Sequence, residues 1–183
     1  FDSAGTLINI PVLNYPAGAH VPLNLTHSPT LLIPAIAARL TSPVIAYNLT
    51  ILMLPTLNAI SMYFLALEMT KRRSASIVAG LLFGYSAYLF GHLQAGHLSQ
   101  VSMIGLPLFV LAFIRLTNRP NWKYAFATGL CAFIAASHPS HVAYMIVPTT
   151  CVLIASKPIR LSYTKFAPYI VTAALTAIIM LAP

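Results

Sequence analysis

The sequence predicts an all-α protein: a polytopic membrane helix bundle of about six transmembrane helices with a long external first loop. Of the 183 residues, 58% are hydrophobic and only 7% are charged, and the mean hydropathy is +0.82. A soluble domain usually has about a quarter of its residues charged. The charges are also grouped, because four apolar runs contain no Asp, Glu, Lys or Arg: residues 40–67, 74–114, 124–156 and 166–183. Each run is long enough for one or two membrane crossings of ~20 residues.

The basic balance of the chain does not indicate a nucleic-acid-binding protein. Ten Lys and Arg stand against two acids, Asp2 and Glu68, which gives a net charge of +8. A nucleic-acid-binding protein presents its basic residues on one face of a soluble fold. Here they form short clusters between long apolar runs. That arrangement is typical of membrane-protein loops, so we expect membrane lipid, and no nucleic acid, as a partner.

Six membrane helices are predicted along the chain. They are Pro43–Met69, Ser74–Phe90, Val101–Leu116, Tyr124–Ala136, Pro139–Ser156 and Phe166–Leu181. Gly80 and Gly84 are four residues apart in the second helix, a spacing that lets two helix backbones approach closely. Pro55, Pro107 and Pro148 are expected to kink their helices rather than end them, because neighbouring helices can satisfy the freed carbonyls.

Residues 1–42 are predicted to form an external loop, because they are too polar and too rich in proline to cross a membrane as one helix. Within the loop, Leu31–Leu40 is expected to form a short interfacial helix. The loop either roofs a cavity over the outer helix ends or serves as a structured connector. Residues 43–183 then form the transmembrane core. The chain opens on Phe1 and stops inside an apolar segment at Pro183, so we expect a fragment truncated at both ends.

The basic residues predict which side of the membrane each connection faces. Clusters at 71–73, 115–123 and 157–165 fall on one side of the six-helix arrangement and hold nine of the ten Lys and Arg. The positive-inside rule makes that side cytoplasmic. Glu68 stands four residues before Arg72 on this side, so we expect an interfacial ion pair rather than a catalytic role for Glu68.

Residues suited to chemistry concentrate on the opposite, external side, which holds all six histidines together with Asp2 and Arg39. Asp2 is the only external carboxylate. It acts either as a general base, or as a helix cap or a solvated residue. Arg39 either grips a phosphate with two hydrogen bonds or is an interfacial arginine whose charged head reaches water.

Two histidine pairs are distinguished by their spacing. His92 and His97 are five residues apart, and His138 and His141 are three apart. A transition-metal site needs three or four converging donors, and neither spacing is a strong metal signature. Hydrogen bonds to water, phosphate or sugar hydroxyls suit these side chains better, because imidazole both donates and accepts. We therefore name no metal ligand and leave a divalent metal open as a cofactor.

Several segments, taken in order, are similar to a known family. They are NYPAG at 14–18, PVIAYNL at 43–49, AGLLFGYSAY at 79–88, GHLQ at 91–94 and LPL at 106–108. Together they resemble bacterial and archaeal members of the GT-C superfamily of integral membrane glycosyltransferases. The likeness covers nearly the whole chain, as the N-terminal part of the membrane core.

This resemblance implies a GT-C-like fold and a hexosyl- or pentosyltransferase. Such an enzyme moves a sugar from a polyprenyl-phosphate-linked donor to a glycan, lipid or protein acceptor at the outer face of the plasma membrane. The family places a catalytic Asp in the first external loop, and Asp2 stands in that position ahead of the NYPAG segment. The expected substrate-binding residues are Arg39, His92, Gln94, His97 and His138.

On this hypothesis Asp2 deprotonates an acceptor hydroxyl, which attacks the anomeric carbon and displaces the polyprenyl phosphate. Arg39 and the histidines of the 91–97 loop stabilise the charge that develops on the phosphate. The alternatives are a transporter or flippase that uses external histidines as proton or metal relays, and a catalytically inactive GT-C-like scaffold. Ionisable residues near mid-membrane normally mark a transport pathway, and the predicted helices have none at that depth, which favours the enzyme.

Overall fold

The computed structural model describes residues 8–10, 19–21, 36, 40–136, 147 and 163–181. Nearly all of these residues are helical, which confirms the predicted helical class. The helices are α1 (Pro43–Thr70), α2 (Arg73–Gly84), α3 (Ala87–Gln94), α4 (Leu98–Val101), α5 (Gly105–Asn118), α6 (Trp122–Ala135) and α7 (Tyr163–Leu181). The exception is a short antiparallel hairpin of β1 (Ile8–Ile10) and β2 (Ala19–Val21).

The hairpin lies in the predicted external loop, where no strand was expected. Its register pairs Asn9 with His20. Residues 36 and 40, inside the predicted interfacial helix, are helical, and the rest of that helix lies outside the described residues. The same holds for the predicted helix Pro139–Ser156, of which only residue 147 is described.

Two helical stretches are long and apolar enough to cross a membrane by length and composition: Val44–Thr70 and Arg73–Gln94. A buried helix in the core of a soluble protein passes the same test, yet only 39% and 22% of their apolar windows are buried here. Large apolar side chains face outward instead, with Leu52 69% and Leu82 71% exposed. Soluble monomers rarely expose extended apolar patches, so these faces favour membrane association.

The helices α1 and α2 run antiparallel in close contact, as the spacing of Gly80 and Gly84 predicted. A Cβ atom added at Gly80 would lie 2.7 Å from the carbonyl oxygen of Ala59, and one at Gly84 would lie 2.5 Å from that of Pro55. A Cβ atom so close to a backbone oxygen would be a steric clash. Only glycine at these positions allows the two helix backbones to approach so closely.

The helices α6 and α7 run parallel and also meet at a glycine. The rings of Trp122 and Tyr169 have centroids 4.7 Å apart near the starts of both helices. Further along both helices, a Cβ atom added at Gly129 would lie 2.5 Å from the carbonyl oxygen of Ala173. Gly129 was not predicted as a contact, although Ala125 stands four residues before it and gives the same spacing of small residues.

The predicted helix Val101–Leu116 is wrong at its start. Residues 102–104 are not helical and separate α4 from α5. Asn58 of α1 holds this segment: its Nδ2 donates to the carbonyl of Val101 at 2.8 Å, and its Oδ1 accepts from the N–H of Met103 at 3.1 Å. Asn58 is fully buried. Its side chain therefore satisfies backbone groups that a continuous helix would have paired internally.

Two other predicted helix features need correction. Pro107 stands in the first turn of α5, where an N–H has no helical partner to lose, so it does not kink the middle of a helix. The predicted helix Ser74–Phe90 is divided into α2 and α3, with Ser86 as the extended N-cap of α3. Serine favours N-caps over helix interiors. Pro55 does not end α1, as predicted.

The two ends of the bundle differ in chemistry. Near the end of α1, Glu68 forms an ion pair of 2.8 Å with Arg115 near the end of α5, so the basic connections after both helices meet at one end, here called the basic end. Leu89 of α3 packs with Leu54, which precedes Glu68 by about 21 Å along α1. Thus α3, with His92 near its end and His97 after it, lies toward the opposite end of the bundle, here called the histidine end.

Candidate functional site

The histidine end is built around the C-terminus of α3. The N–H of Gly96 donates to the carbonyl of Leu93 at 3.1 Å, and the N–H of His97 donates to the carbonyl of His92 at 2.9 Å. These bonds form a Schellman motif, in which Gly96 takes the left-handed position with φ 74°. The motif brings its first and last residues together. His92 and His97, five residues apart, are therefore the first and last residues of the helix cap.

The two imidazole rings are neighbours across this motif. Nδ1 of His92 and Nδ1 of His97 are 3.4 Å apart. With complementary tautomers one ring donates to the other, and the Nε2 atoms are then a donor and an acceptor for a ligand. Tyr88 packs edge-to-face on His92, with centroids 4.5 Å apart, and restricts its orientation. His92 is half-buried and His97 is exposed, so a ligand can reach the pair from outside the protein.

An apolar cluster joins this corner to the rest of the bundle. Its buried members are Leu54, Leu89, Val101 and Met103. Leu93, which lies between the two histidines in the chain, packs against this cluster. His97 is itself the N-cap residue of α4. The positions of the histidines are thus set from one side by the helix cap and from the other by packing.

The structure brings together two of the six predicted site residues, His92 and His97. Gln94 lies between them on the last turn of α3 and is exposed. Among the residues that the structure describes, no three His, Cys, Asp or Glu side chains gather as a metal site requires. The other predicted site residues lie outside the described ranges and stay predictions: Asp2, Arg39 and His138.

The basic end contains an ion-pair network centred on Glu68. Its Oε1 accepts from Nζ of Lys71 at 2.9 Å, and its Oε2 accepts from Nη2 of Arg115 at 2.8 Å and from Nε at 3.2 Å. The predicted partner, Arg72, is wrong. Arg72 is the extended N-cap of α2, so it has left the helix on which a spacing of four residues would place it beside Glu68.

A recess of about 550 Å³ lies beside this network, where the ends of α1 and α5 meet the start of α6. Its lining residues are Glu68, Arg115, Asn118, Arg119 and Tyr124. The volume is typical of small-molecule sites, which span ~300–1,000 Å³. None of these residues was predicted to bind a ligand. The signal in the sequence was the basic cluster after α5, which was interpreted only as a mark of topology.

Asn58 is the other important polar residue that the sequence did not reveal. The apolar run at 40–67 contains both Asn48 and Asn58. In the structure Asn48 is exposed, whereas Asn58 is completely buried and clamps the break between α4 and α5. Nothing in their sequence neighbourhoods separates the two. Only the packing of a distant segment, 43 residues further along the chain, decides between them.

Comparison with known proteins assigns the chain to no group: no family model, no curated protein and no solved structure matches it. The two sites at the ends of the bundle are therefore the physical basis for a functional proposal. One presents a pair of imidazoles, and the other presents a recess among cationic side chains.

Proposed function

We propose that the chain is the N-terminal part of the membrane core of a GT-C-type glycosyltransferase in the plasma membrane of a bacterium or archaeon. The enzyme transfers a sugar from a polyprenyl-phosphate-linked donor to a glycan, lipid or protein acceptor at the outer face. The observation that carries the proposal is the accessible His92–His97 pair at the end opposite the basic end. Imidazoles at a water boundary suit the recognition of phosphate and sugar hydroxyls.

The distribution of charge supports this orientation. The connections after α1 and α5 meet at the basic end through Glu68 and Arg115. Short connections rich in Lys and Arg face the cytoplasm, so the histidine end is the external one. A donor whose lipid tail stays in the bilayer then presents its phosphate and sugar at the level of the histidines.

The course of α6 and α7 supports a bundle of six crossings. Helix α6 starts at the basic end, where Tyr124 lines the recess beside Glu68, and its Trp122 contacts Tyr169 in the first half of α7. The predicted helix Pro139–Ser156, which lies outside the described residues apart from position 147, is proposed as the crossing between α6 and α7. Leu98–Asn118 counts as one crossing interrupted at 102–104. A membrane tolerates such an interruption when the protein itself hydrogen-bonds the backbone there. Asn58 does so by bonding to the backbone of Val101 and Met103.

The proposed reaction is a displacement at the anomeric carbon of the donor sugar. Asp2 takes the proton of an acceptor hydroxyl, whose oxygen forms the new glycosidic bond as the bond to the polyprenyl phosphate breaks. The phosphate leaves with the electron pair, and His92 and His97 stabilise it by hydrogen bonds together with Arg39. Gln94 and His138 complete the contacts to the donor. No described side chain has to act as a metal ligand in this scheme.

The buried polar residues favour an enzyme over an ion-coupled transporter. Among the described residues, the buried polar side chains are all uncharged: Thr50, Asn58, Ser61, Ser76, Ser102 and Thr128. Proton and ion pathways through membranes normally use buried acids, bases or histidines. The described interior offers none of these to a relay.

The test measures sugar transfer by the full-length protein in membrane vesicles supplied with polyprenyl-phosphate-linked sugars. Asp2→Asn is expected to abolish transfer, and the double variant His92→Leu/His97→Leu is expected to lower it by at least tenfold, because the leaving phosphate loses two hydrogen bonds. Arg73→Gln, at the basic end and outside the proposed site, serves as the control with unchanged transfer. Undiminished transfer by Asp2→Asn would contradict the proposed mechanism.

A further inference from the structure

The basic end carries far more positive charge than its acids can balance. Residues 68–73 and 115–123 contain six Lys and Arg but a single carboxylate, Glu68. Both oxygens of Glu68 are already engaged, one by Lys71 and the other by Arg115. The chain has only one other acid, Asp2, which is predicted on the external side. The remaining cations at this end therefore have no carboxylate partner among the described residues.

The recess beside Glu68 concentrates this unbalanced charge in a concave site. Arg119 lines it and, among the described residues, forms no ion pair. Arg115 lines it too, with one edge of its guanidinium held by Glu68, so the group is fixed in place before any ligand arrives. Two uncharged polar residues, Asn118 and Tyr124, complete the lining. Two guanidinium groups beside neutral polar side chains form a setting that suits a phosphate group.

We propose that this recess binds the phosphate headgroup of an anionic phospholipid. Arg119 supplies the charge that Glu68 does not neutralise, Arg115 supplies an oriented second cation, and Tyr124 supplies a hydroxyl. Basic pockets between helices on the cytoplasmic side are suited to anionic headgroups. The inference rests on the membrane orientation proposed above, but not on sugar transfer.

The surroundings of the recess favour a lipid over a soluble phosphate. Met69, next to Glu68, is 67% exposed, and Trp122, two residues before Tyr124, is 57% exposed. The Trp122 ring packs against that of Tyr169 of α7 at a tilt of 51°, and such aromatic rings prefer the boundary between headgroups and acyl chains. Exposed apolar side chains beside a charged recess provide a surface for an acyl chain while the phosphate enters the recess.

The experiment measures lipid binding by the full-length protein, purified in a neutral detergent, with native mass spectrometry. The probes are a phosphatidylglycerol and a phosphatidylcholine with the same acyl chains. We expect preferential retention of the phosphatidylglycerol, and Arg119→Gln should weaken that retention on the order of fivefold. Arg73→Gln removes the same charge from the same end but does not line the recess, so it serves as the matched control and should change retention by less than twofold.

Two outcomes would overturn the inference. Equal weakening by Arg119→Gln and Arg73→Gln would mean that general surface charge, and not the recess, attracts the lipid. Complete displacement of the lipid by millimolar inorganic phosphate would mean that the site recognises a soluble phosphate. Asp2→Asn is expected to retain the lipid fully, so a failure of the glycosyltransferase proposal would be visible separately from a failure of lipid binding.

Discussion

The histidine end and the basic end of this bundle are assembled in different ways. At the histidine end, the contact between His92 and His97 is made within one helix cap, by residues five apart in the chain. At the basic end, Glu68 meets Arg115 across 47 residues of sequence, and only because α1 and α5 pack side by side. The first site is local in origin, and the second depends on tertiary packing.

The two ends should therefore tolerate different substitutions. The histidine pair needs the left-handed residue at Gly96 and the cap hydrogen bonds, both of which are encoded within a few residues. The recess at the basic end needs the correct register between α1 and α5. That register is set by Asn58, whose side chain holds the break before α5. Substitutions at these positions should therefore separate the two ends.

The largest effect is expected from Asn58→Leu. It removes two buried hydrogen bonds and leaves the carbonyl of Val101 and the N–H of Met103 with only the bond that joins them to each other, so the free energy of unfolding should fall by about 1–3 kcal/mol. Unfolding of the detergent-solubilised protein, followed by circular dichroism, checks this. The matched control is Asn48→Leu, because Asn48 is on the same helix but exposed. Its free energy of unfolding should stay within about 0.5 kcal/mol of that of the parent protein. Equal effects of the two variants would contradict the clamp.

Gly96→Ala should disrupt the histidine end alone. A side chain at φ 74° is strained, so we expect a loss of about 1–2 kcal/mol in the free energy of unfolding. The control, Gly91→Ala, lies inside α3 with nothing within 4 Å of the added Cβ, and it should stabilise the protein by about 0.5–1 kcal/mol. The same unfolding measurement distinguishes the two. A loss of stability in both variants would argue against the Schellman motif.

At the basic end the expected effect is smaller, because the ion pairs are partly exposed. A double-mutant cycle between Glu68→Gln and Arg115→Gln should give a coupling free energy of about 0.5–1 kcal/mol. The same cycle between Glu68→Gln and Arg72→Gln should give a coupling close to zero. High salt should weaken the first coupling. A stronger coupling to Arg72 than to Arg115 would restore the pairing that sequence spacing predicted and contradict the packing of α1 against α5.

The smallest effect on stability is expected from His97→Leu. The side chain is exposed, so the free energy of unfolding should change by no more than about 0.5 kcal/mol. The cap bond from the N–H of residue 97 is a backbone bond and survives the substitution. Sugar transfer by the full-length variant should nevertheless fall. A large loss of stability would show that the pair holds the corner together, and that its role is structural rather than chemical.

Much of the helical layout could be predicted from the sequence. Long apolar runs between basic clusters placed α1 and α7 within a few residues of their observed bounds, and the spacing of Gly80 and Gly84 predicted a close helix contact. The interruptions at Tyr85–Ser86 and at 102–104 were missed. A break inside an apolar run leaves hydropathy unchanged, and the Asn58 side chain that pairs with the second break lies more than forty residues away.

The sites divide along the same line. The composition and the length of the apolar runs were enough to predict an apolar helical chain, and the order of residues was enough to separate its histidines from its basic clusters along the chain. The cap that joins His92 to His97 also depends on nearby sequence, because Gly96 between them adopts its left-handed conformation. Helix packing, by contrast, pairs Glu68 with Arg115 and forms the recess beside them, and it makes Asn58 rather than Asn48 the clamp. Local features follow from the conformational preferences of a few neighbouring residues, whereas these contacts exist only after distant helices have packed.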